Sequence, residues 1–558
     1  MDFELAVPFV AKLLLRISPG TALVDRLSLH GLTTGRIVVP AHLFSSHDLL
    51  QLDGLAKEEN NLSLLFQIIA LRNILQAKED LVVTDLDLLV PALTAYLSWN
   101  TIDGWIYRRN KDGILLPWLL ESIELMEPPE GLGRPFVCIN LLANTADAAS
   151  KPQDHTNNPE MWRAGMTNAI LFLARDLGTL TIPELLAKKG YYKECPEFKA
   201  EYETQVARFK RFQPAFGKQF YAKNHAFILN RQNLVEPMEF LRFSEHVPVK
   251  CINDEEMLNR RIEPSSDRHP GRLFDNRSNR VPLHCYLYMF HLELHENIWV
   301  HVQNLEEYTY RPELRDKLIL PQEHRTLIDI LTSRMDILMD DIIEGKSGGT
   351  TILCMGASGL GKTLTAEVYS EVVGKPLYRV HSGQLGTSAE SVESSLSTIL
   401  RRAARWGCIL LLDEADVYIR VRDNDMQHNA IVAEFLRTLE YFDGLLFMTT
   451  NRVDDVDDAI LSRCIAVIRY EIPPREDAIR LWHSLSEQFQ IPISDELVQD
   501  LVEAFPNSSG RDIKELLKLT SRLCAGTGEP VSLPAFKQCA TFRGKNGYRS
   551  GTHLEKQE

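Results

Sequence analysis

Gly356-Ala357-Ser358-Gly359-Leu360-Gly361-Lys362-Thr363 follows directly on the run Thr351-Ile352-Leu353-Cys354-Met355, and this passage from buried strand to glycine loop decides the reading of the chain. An apolar run of this length feeding glycines is the pattern of a parallel strand that ends in a phosphate-binding loop. Gly356, Gly359 and Gly361 let backbone N–H groups turn inward around a phosphate. Lys362 adds a point charge, and the Thr363 hydroxyl stands at the start of a helix, where it can ligate a divalent cation.

Further along, Cys408-Ile409-Leu410-Leu411-Leu412 is a second apolar run, and it ends in Asp413-Glu414. A parallel strand would deliver these carboxylates to its C-terminal edge, where open α/β sheets bind ligands. Asp413 suits positioning of Mg²⁺, and Glu414 can polarise a water for in-line attack on a γ-phosphate. A third strand, Leu445-Leu446-Phe447-Met448-Thr449-Thr450, ends at Asn451, whose amide can orient the same water. Loop and acid pair together point to ATP hydrolysis.

From Leu318 to Leu523 these motifs, in this order and spacing, resemble the AAA+ ATPase family. The resemblance implies a P-loop NTPase α/β fold, with a five-stranded parallel sheet and a C-terminal helical lid. It makes Gly356 to Thr363 the Walker A loop, so that Gly356, Ala357, Ser358, Gly359, Leu360, Gly361, Lys362, Thr363 and Leu364 would hold ATP. Thr363 and Asp413 would hold Mg²⁺, and Asp413 and Glu414 would be Walker B. Asn451 would be sensor 1, and Arg463, ending Asp457-Asp458-Ala459-Ile460-Leu461-Ser462-Arg463, falls where the arginine finger lies. Ser508-Ser509-Gly510-Arg511-Asp512-Ile513 looks like the start of the lid helix that carries sensor 2, which places Arg511 on the γ-phosphate. Leu320-Pro321 would border the adenine. The family also implies a homo-oligomer, a hexamer in its better-known members, because the finger reaches a neighbour's nucleotide, and it implies a protein client.

This chain departs from the family pattern in two places. Many unfoldases carry an aromatic residue in the loop after the second strand, and here Tyr378-Arg379-Val380-His381-Ser382-Gly383-Gln384-Leu385-Gly386-Thr387-Ser388 has none beside Leu385-Gly386. That departure puts the threading of a polypeptide through a pore in doubt. Many relatives have two arginines about three residues apart in the finger region, whereas the next arginine after Arg463 here is Arg469.

Composition fits an intracellular enzyme of several domains. The 558 residues are 44% hydrophobic and 25% charged, enough for several cores. The nine cysteines are dispersed without a Cys-x-x-Cys pair, which fits a reducing, cytoplasmic setting and suggests neither a disulfide framework nor a zinc site. Met1-Asp2-Phe3-Glu4 lacks the basic start of a signal peptide, and no apolar run of roughly 18 residues suggests a membrane span. A formal net charge of -15 argues against nonspecific nucleic-acid binding by the whole molecule.

The expected division is a helix-rich domain over 1–130, a mixed domain over 131–258, a linker and β-hairpin over 259–317, the ATPase core over 318–473, a helical lid over 474–545 and a tail over 546–558. Helical patterns appear in Leu62–Leu71 and Leu86–Val90, and Pro135–Ile139 reads as a strand. Leu283–His291 and Asn297–Val302 read as a hairpin packed near the ATPase entrance. Ile431, Val432, Phe435, Leu439 and Phe442 recur at helical spacing as a core stripe. Arg208, Lys210, Arg211, Lys218 and Lys223 interleave with Phe209, Phe212, Phe216, Phe220 and Tyr221, a pairing that can stack on single-stranded nucleic acid. Such rings more often bury while the cations face solvent. Arg260, Arg261, Arg268, Arg272, Arg277 and Arg280 are diluted by Glu263, Asp267 and Asp275. Remodelling of a protein client is the leading expectation. The alternatives are a nucleic-acid-associated motor or sensor, and a nucleotide-gated scaffold.

Overall fold

The computed structural model describes residues 2–28, 35–40, 43–77, 81–98, 101–126, 133–143, 166–229, 238–244, 247–258, 281–333, 349–422, 425–440 and 442–543. The arginines from 260 to 280 and the tail over 546–558 lie outside these residues.

A five-stranded parallel sheet organises the second half of the chain. Its order is Leu377–His381, Ile409–Asp413, Leu445–Thr450, Thr350–Gly356 and Ala466–Tyr470. The three central strands are apolar nearly throughout because helices cover both faces. Ile409–Asp413 and Leu445–Thr450 are buried along their whole length. The chain leaves Thr350–Gly356 in the interior of the sheet and reappears at the far edge as Leu377–His381. The crevice for a ligand therefore opens at the C-terminal end of the glycine-loop strand.

On one face lie helices Ala389–Trp406 and Met426–Leu439, whose stripe Ile431, Val432 and Phe435 joins Leu396, Leu400 and the sheet residues Leu410 and Met448 in one cluster. Ala389–Trp406 starts at a Ser388 capping box and stops at Gly407, which takes the left-handed conformation with φ 57°. Helix Lys362–Val373 covers the other face. After the sheet, helices Arg475–Gln488, Asp495–Ala504, Gly510–Thr527 and Leu533–Phe542 enclose their own core around Trp482, Leu517 and Phe536. This is the helical lid.

The front of the chain is a helix-rich unit followed by mixed α/β structure. Strands Asp2–Ala6 and Arg36–Pro40 pair antiparallel beside helices Val7–Leu14, Ser46–Glu58 and Leu62–Ala77. A five-stranded antiparallel sheet follows, in the order Met166–Leu173, Phe136–Ala143, Leu115–Met126, Trp105–Arg109 and Tyr191–Lys193. Helix Leu86–Ser98 packs on it. A boundary at 130/131 would cut this sheet, since Leu115–Met126 pairs with Phe136–Ala143 across it. The helical expectation for 1–130 fails from Trp105 onward because Leu115-Leu116-Pro117-Trp118-Leu119-Leu120 is buried on both faces. Such a run has no period that separates strand from helix.

The expected hairpin forms as Tyr286–His291 and Glu296–His301, but it is not an appendage of a linker. Its strands occupy the middle of a seven-stranded antiparallel sheet that also contains Gln219–Ala222, His225–Leu229, Met238–Arg242, Val249–Asn253 and Leu305–Glu307. Its turn residue His295 stands against the edge strand, 5.5 Å from Tyr378 between ring centroids. Phe290 packs on Tyr378 and Trp406, with ring centroids 5.6 and 4.8 Å apart. Tyr378 lies near the start of its strand, and Trp406 ends the helix that leads into Ile409–Asp413, so the contact is toward the end of the parallel sheet opposite the glycine loop. Asp254, 3% exposed, reinforces it by accepting Trp406 Nε1 at 2.8 Å and Arg405 at 2.5 Å. Gly217 is required here, because a Cβ would stand 2.7 Å from the Trp406 carbonyl oxygen.

The basic and aromatic stretch also packs inward. Phe209 and Phe212 lie on helix Pro196–Phe212 and are buried with Phe220 against this sheet. Arg208 donates to the Leu305 carbonyl, Arg211 to Glu307 at 2.5 Å and Lys223 to Glu306 at 2.6 Å. Phe209, Phe212 and Phe220 are therefore core rings rather than a stacking surface, while Phe216 is 43% exposed.

Candidate functional site

Strand Thr350–Gly356 ends in the glycine loop, and helix Lys362–Val373 begins directly after it. The Lys362 ammonium curls back over the loop, donating to the carbonyls of Gly356 and Ala357 at 2.7 and 2.8 Å and to Asn451 Oδ1 at 2.9 Å. Burial holds its pKa below the usual lysine value, against the pull of Asp416 and Asp413. The loop lysine and Asn451 therefore meet at one point, although 88 residues separate them in the chain.

The next contact brings the helix start to the acid strand. Thr363 Oγ1 donates to Asp413 Oδ1 at 2.8 Å, and Thr449 Oγ1 donates to the same oxygen at 2.6 Å. Burial by itself would raise the Asp413 pKa. The two hydroxyls and the nearby Arg379 guanidinium outweigh it and hold the carboxyl below its ordinary value. Ionised Asp413 beside the Thr363 hydroxyl is a hard-oxygen pair at the mouth of a phosphate loop, which is the donor chemistry Mg²⁺ takes when phosphates complete its shell. The described residues contain no cluster of three or more His, Cys, Asp or Glu suited to an all-protein metal site.

Glu414 follows with φ 56°, in the left-handed region that non-glycine residues avoid. Its N–H donates to Thr449 Oγ1 at 3.0 Å, and its side chain is exposed at the sheet edge. Strain of this kind costs on the order of 1 kcal/mol and persists only where surrounding contacts enforce it. Here it marks the point where the chain breaks from the strand direction and leaves the Glu414 side chain exposed.

The lid reaches the loop from above. Arg511 Nη1 donates to Ser358 Oγ at 2.8 Å, and its backbone N–H donates to the Gly359 carbonyl at 3.2 Å. A Cβ on Gly359 would stand 2.7 Å from Arg511 Cβ, so this glycine serves the lid contact as well as the loop turn. Leu360 packs partly into the cluster beneath the loop, and Leu364 is 49% exposed in the first helical turn. Leu320 is buried in the same cluster as Ala366 and Tyr369 of the loop helix.

Arg463 is the candidate that the fold does not bring to this group. Its guanidinium pairs with Glu440 and donates to the Ala459 carbonyl at 3.1 Å. It lines a cavity of about 170 Å³ with Gly349, Thr351 and Phe442, where the parallel strands begin rather than end. The loop after Leu377–His381 is tied down as well. Tyr418 donates to the carbonyls of Ser382 and Gly386 at 2.8 and 2.9 Å, and Leu385 is 1% exposed. This loop presents no apolar side chain at Leu385.

Four residues at the site escaped sequence reasoning: Arg379, Thr449, Asp416 and Thr450. Asp416 accepts Thr450 Oγ1 at 2.5 Å and the Asn451 N–H at 3.1 Å, which fixes the backbone that carries Asn451. Thr449 and Thr450 stand just before Asn451, and two hydroxyls closing a buried apolar strand were the available signal.

Residues 352–472 match the family described as "ATPase family associated with various cellular activities (AAA)". The chain is 31% identical over 175 residues to an uncharacterized AAA family ATPase, y4kL, of Sinorhizobium fredii, covering 28% of this chain and 52% of that one. It is 29% identical over 185 residues to the 26S proteasome regulatory subunit 7 homolog B of Arabidopsis thaliana, covering 30% and 38%. The matches thus span about half or less of these relatives. Among solved structures, a chain of the HORMA:CdnC:Trip13 complex of E. coli MS115-1 aligns with 18% identity and a TM-score of 0.34, over 41% of this chain and 91% of that one.

Proposed function

We propose that the protein, whose residues 352–472 match the AAA family of ATPases, is a Mg²⁺-dependent ATP hydrolase that works as a homo-oligomer and remodels a protein client. The observation that carries this reading is the convergence of three separate chain segments on one loop and the helix it opens: Asn451 with Lys362, Asp413 with Thr363, and Arg511 with Ser358.

The roles follow from the geometry. Lys362 now spends its donors on two main-chain carbonyls and Asn451, and an arriving triphosphate offers it stronger, charged acceptors. Arg511 approaches the same loop from the lid, so lid and sheet would close over the nucleotide from two sides. Bound Mg²⁺ would neutralise charge on the β- and γ-phosphate oxygens, with Thr363 and Asp413 as its protein donors. Glu414 would accept a proton from the attacking water, and Asn451 would orient that water. Arg463 lies away from its own loop and would act on the nucleotide of an adjoining copy, which makes turnover depend on assembly.

Residues 1 to about 310 would select the client. One contact that would couple them to the ATPase is Glu371 on the loop helix, which is 6% exposed and takes hydrogen bonds from the Tyr308 hydroxyl and, at 3.0 Å, the Arg311 N–H; the packing of Phe290 and Asp254 on Trp406 is another. The short, tied-down loop at Leu385 supports remodelling by domain movement rather than by threading. The test is stimulation of hydrolysis. Unfolded or complexed protein substrates should accelerate phosphate release while single-stranded polynucleotides leave it unchanged. Acceleration by polynucleotide alone would reverse the assignment.

A further inference from the structure

Asp413 divides its two oxygens between different kinds of partner. Oδ1 takes the hydroxyls of Thr363 and Thr449, whereas Oδ2 accepts Arg379 Nη2 at 2.5 Å. Arg379 comes from the edge strand Leu377–His381, where His381 lies opposite Asp413. By the two-residue period of a strand, Arg379 and His381 share a face. Helix Lys362–Val373 lies over that face and presents Thr363 and Glu367 one turn apart. The other arm of the guanidinium, Nη1, stands 3.6 Å from Glu367 Oε1. One arginine is thus shared between the acid of the proposed metal seat and a carboxylate on the loop helix.

We propose that Arg379 is a positioning residue that holds Asp413 by its outer oxygen and, as a fixed counter-ion, sets how strongly nucleotide binding depends on magnesium; this rests on the reading of Thr363 and Asp413 as metal donors. Asp413 is 4% exposed whereas the Arg379 side chain is 41% exposed, so solvent screens the positive charge in part and the carboxylate end of the pair feels it most. It lowers the negative potential that a divalent cation would meet at Oδ1. Glu367 competes for the same guanidinium. Its removal leaves Arg379 wholly to Asp413, so the two side chains push the metal requirement in opposite directions.

The test uses the full chain and a fluorescent, non-hydrolysable ATP analogue, with affinity measured in saturating magnesium and in EDTA. The ratio of the two affinities should rise about threefold in Arg379→Gln and fall about twofold in Glu367→Gln, on the scale expected of a unit charge that solvent partly screens. An unmoved ratio in Arg379→Gln, or both variants shifting the same way, overturns the proposal. Should Arg379→Gln fail to fold, Glu367→Gln decides alone, and an unmoved or raised ratio there overturns it. Wild-type protein that binds the analogue without regard to magnesium would instead overturn the functional reading itself. Wild-type dependence with unshifted variants removes only the role of Arg379.

Discussion

Glu414→Gln should lower ATP turnover by about a hundredfold or more while leaving nucleotide bound, within the range expected for loss of a general base. The amide keeps the size and shape of the carboxylate but cannot take a proton from water. The substitution should leave the local backbone in place, because the bond to Thr449 comes from the Glu414 N–H and not from its side chain. Phosphate release and fluorescent-nucleotide titration, run on the same preparation, separate the two effects. The variant should also stay assembled in ATP longer than the wild type, since the step that ends the ATP state is blocked. Unchanged turnover would take Glu414 out of the chemistry and leave its left-handed backbone, φ 56°, without a functional reason.

Arg463→Ala should be nearly inactive alone, with a loss approaching a thousandfold, the lower end of what an arginine finger contributes. In this chain Arg463 pairs with Glu440 and makes no contact with the glycine loop. A role confined to its own subunit would therefore predict only a modest loss of stability, since a partly exposed ion pair contributes on the order of 1 kcal/mol or less. Mixing decides between the two. Lys362→Ala should also be inactive, because it lacks the loop charge. When Arg463→Ala and Lys362→Ala are combined, some interfaces unite an intact loop from the first with an intact arginine from the second. Recovery of hydrolysis that peaks at intermediate ratios is the expected result, and none at any ratio contradicts action across an interface.

The parallel sheet was legible in the sequence because each central strand contains an apolar run that ends sharply at its C-terminal end, in a glycine loop or in polar residues: Met355 before Gly356, Leu412 before Asp413-Glu414, and Met448 before Thr449-Thr450-Asn451. Burial on both faces leaves few alternatives for such runs once the glycine loop marks their direction. Arg379 was not legible for the opposite reason. It stands in the middle of a strand at a position that reads as solvent-facing, and only the register of Leu377–His381 against Ile409–Asp413 brings it to Asp413. Glu371 and Tyr308 meet in the same way, through the docking of two domains that no local pattern encodes.

The front sheets were harder still. Leu305–Glu307 pairs with Gln219–Ala222 across more than eighty residues, and the hairpin strands find their neighbours in His225–Leu229 and Val249–Asn253. Periodicity detects each strand but says nothing about such partners. The run from Leu115 to Leu120 does not even separate strand from helix. The basic and aromatic stretch near Phe209 shows the same limit, because whether its rings face solvent depends on a sheet built largely from later residues.

The central claim is that ATP is held between Lys362 and the acid pair and is split when a second copy closes over it. The most direct measurement is the rate of phosphate release per subunit, with ATP and magnesium, as the concentration of the wild-type protein is raised. The account predicts a rate per subunit that climbs with concentration in step with oligomer formation and disappears in EDTA. A constant rate per subunit across a range in which the protein passes from monomer to oligomer, or no release from the assembled form, would contradict it.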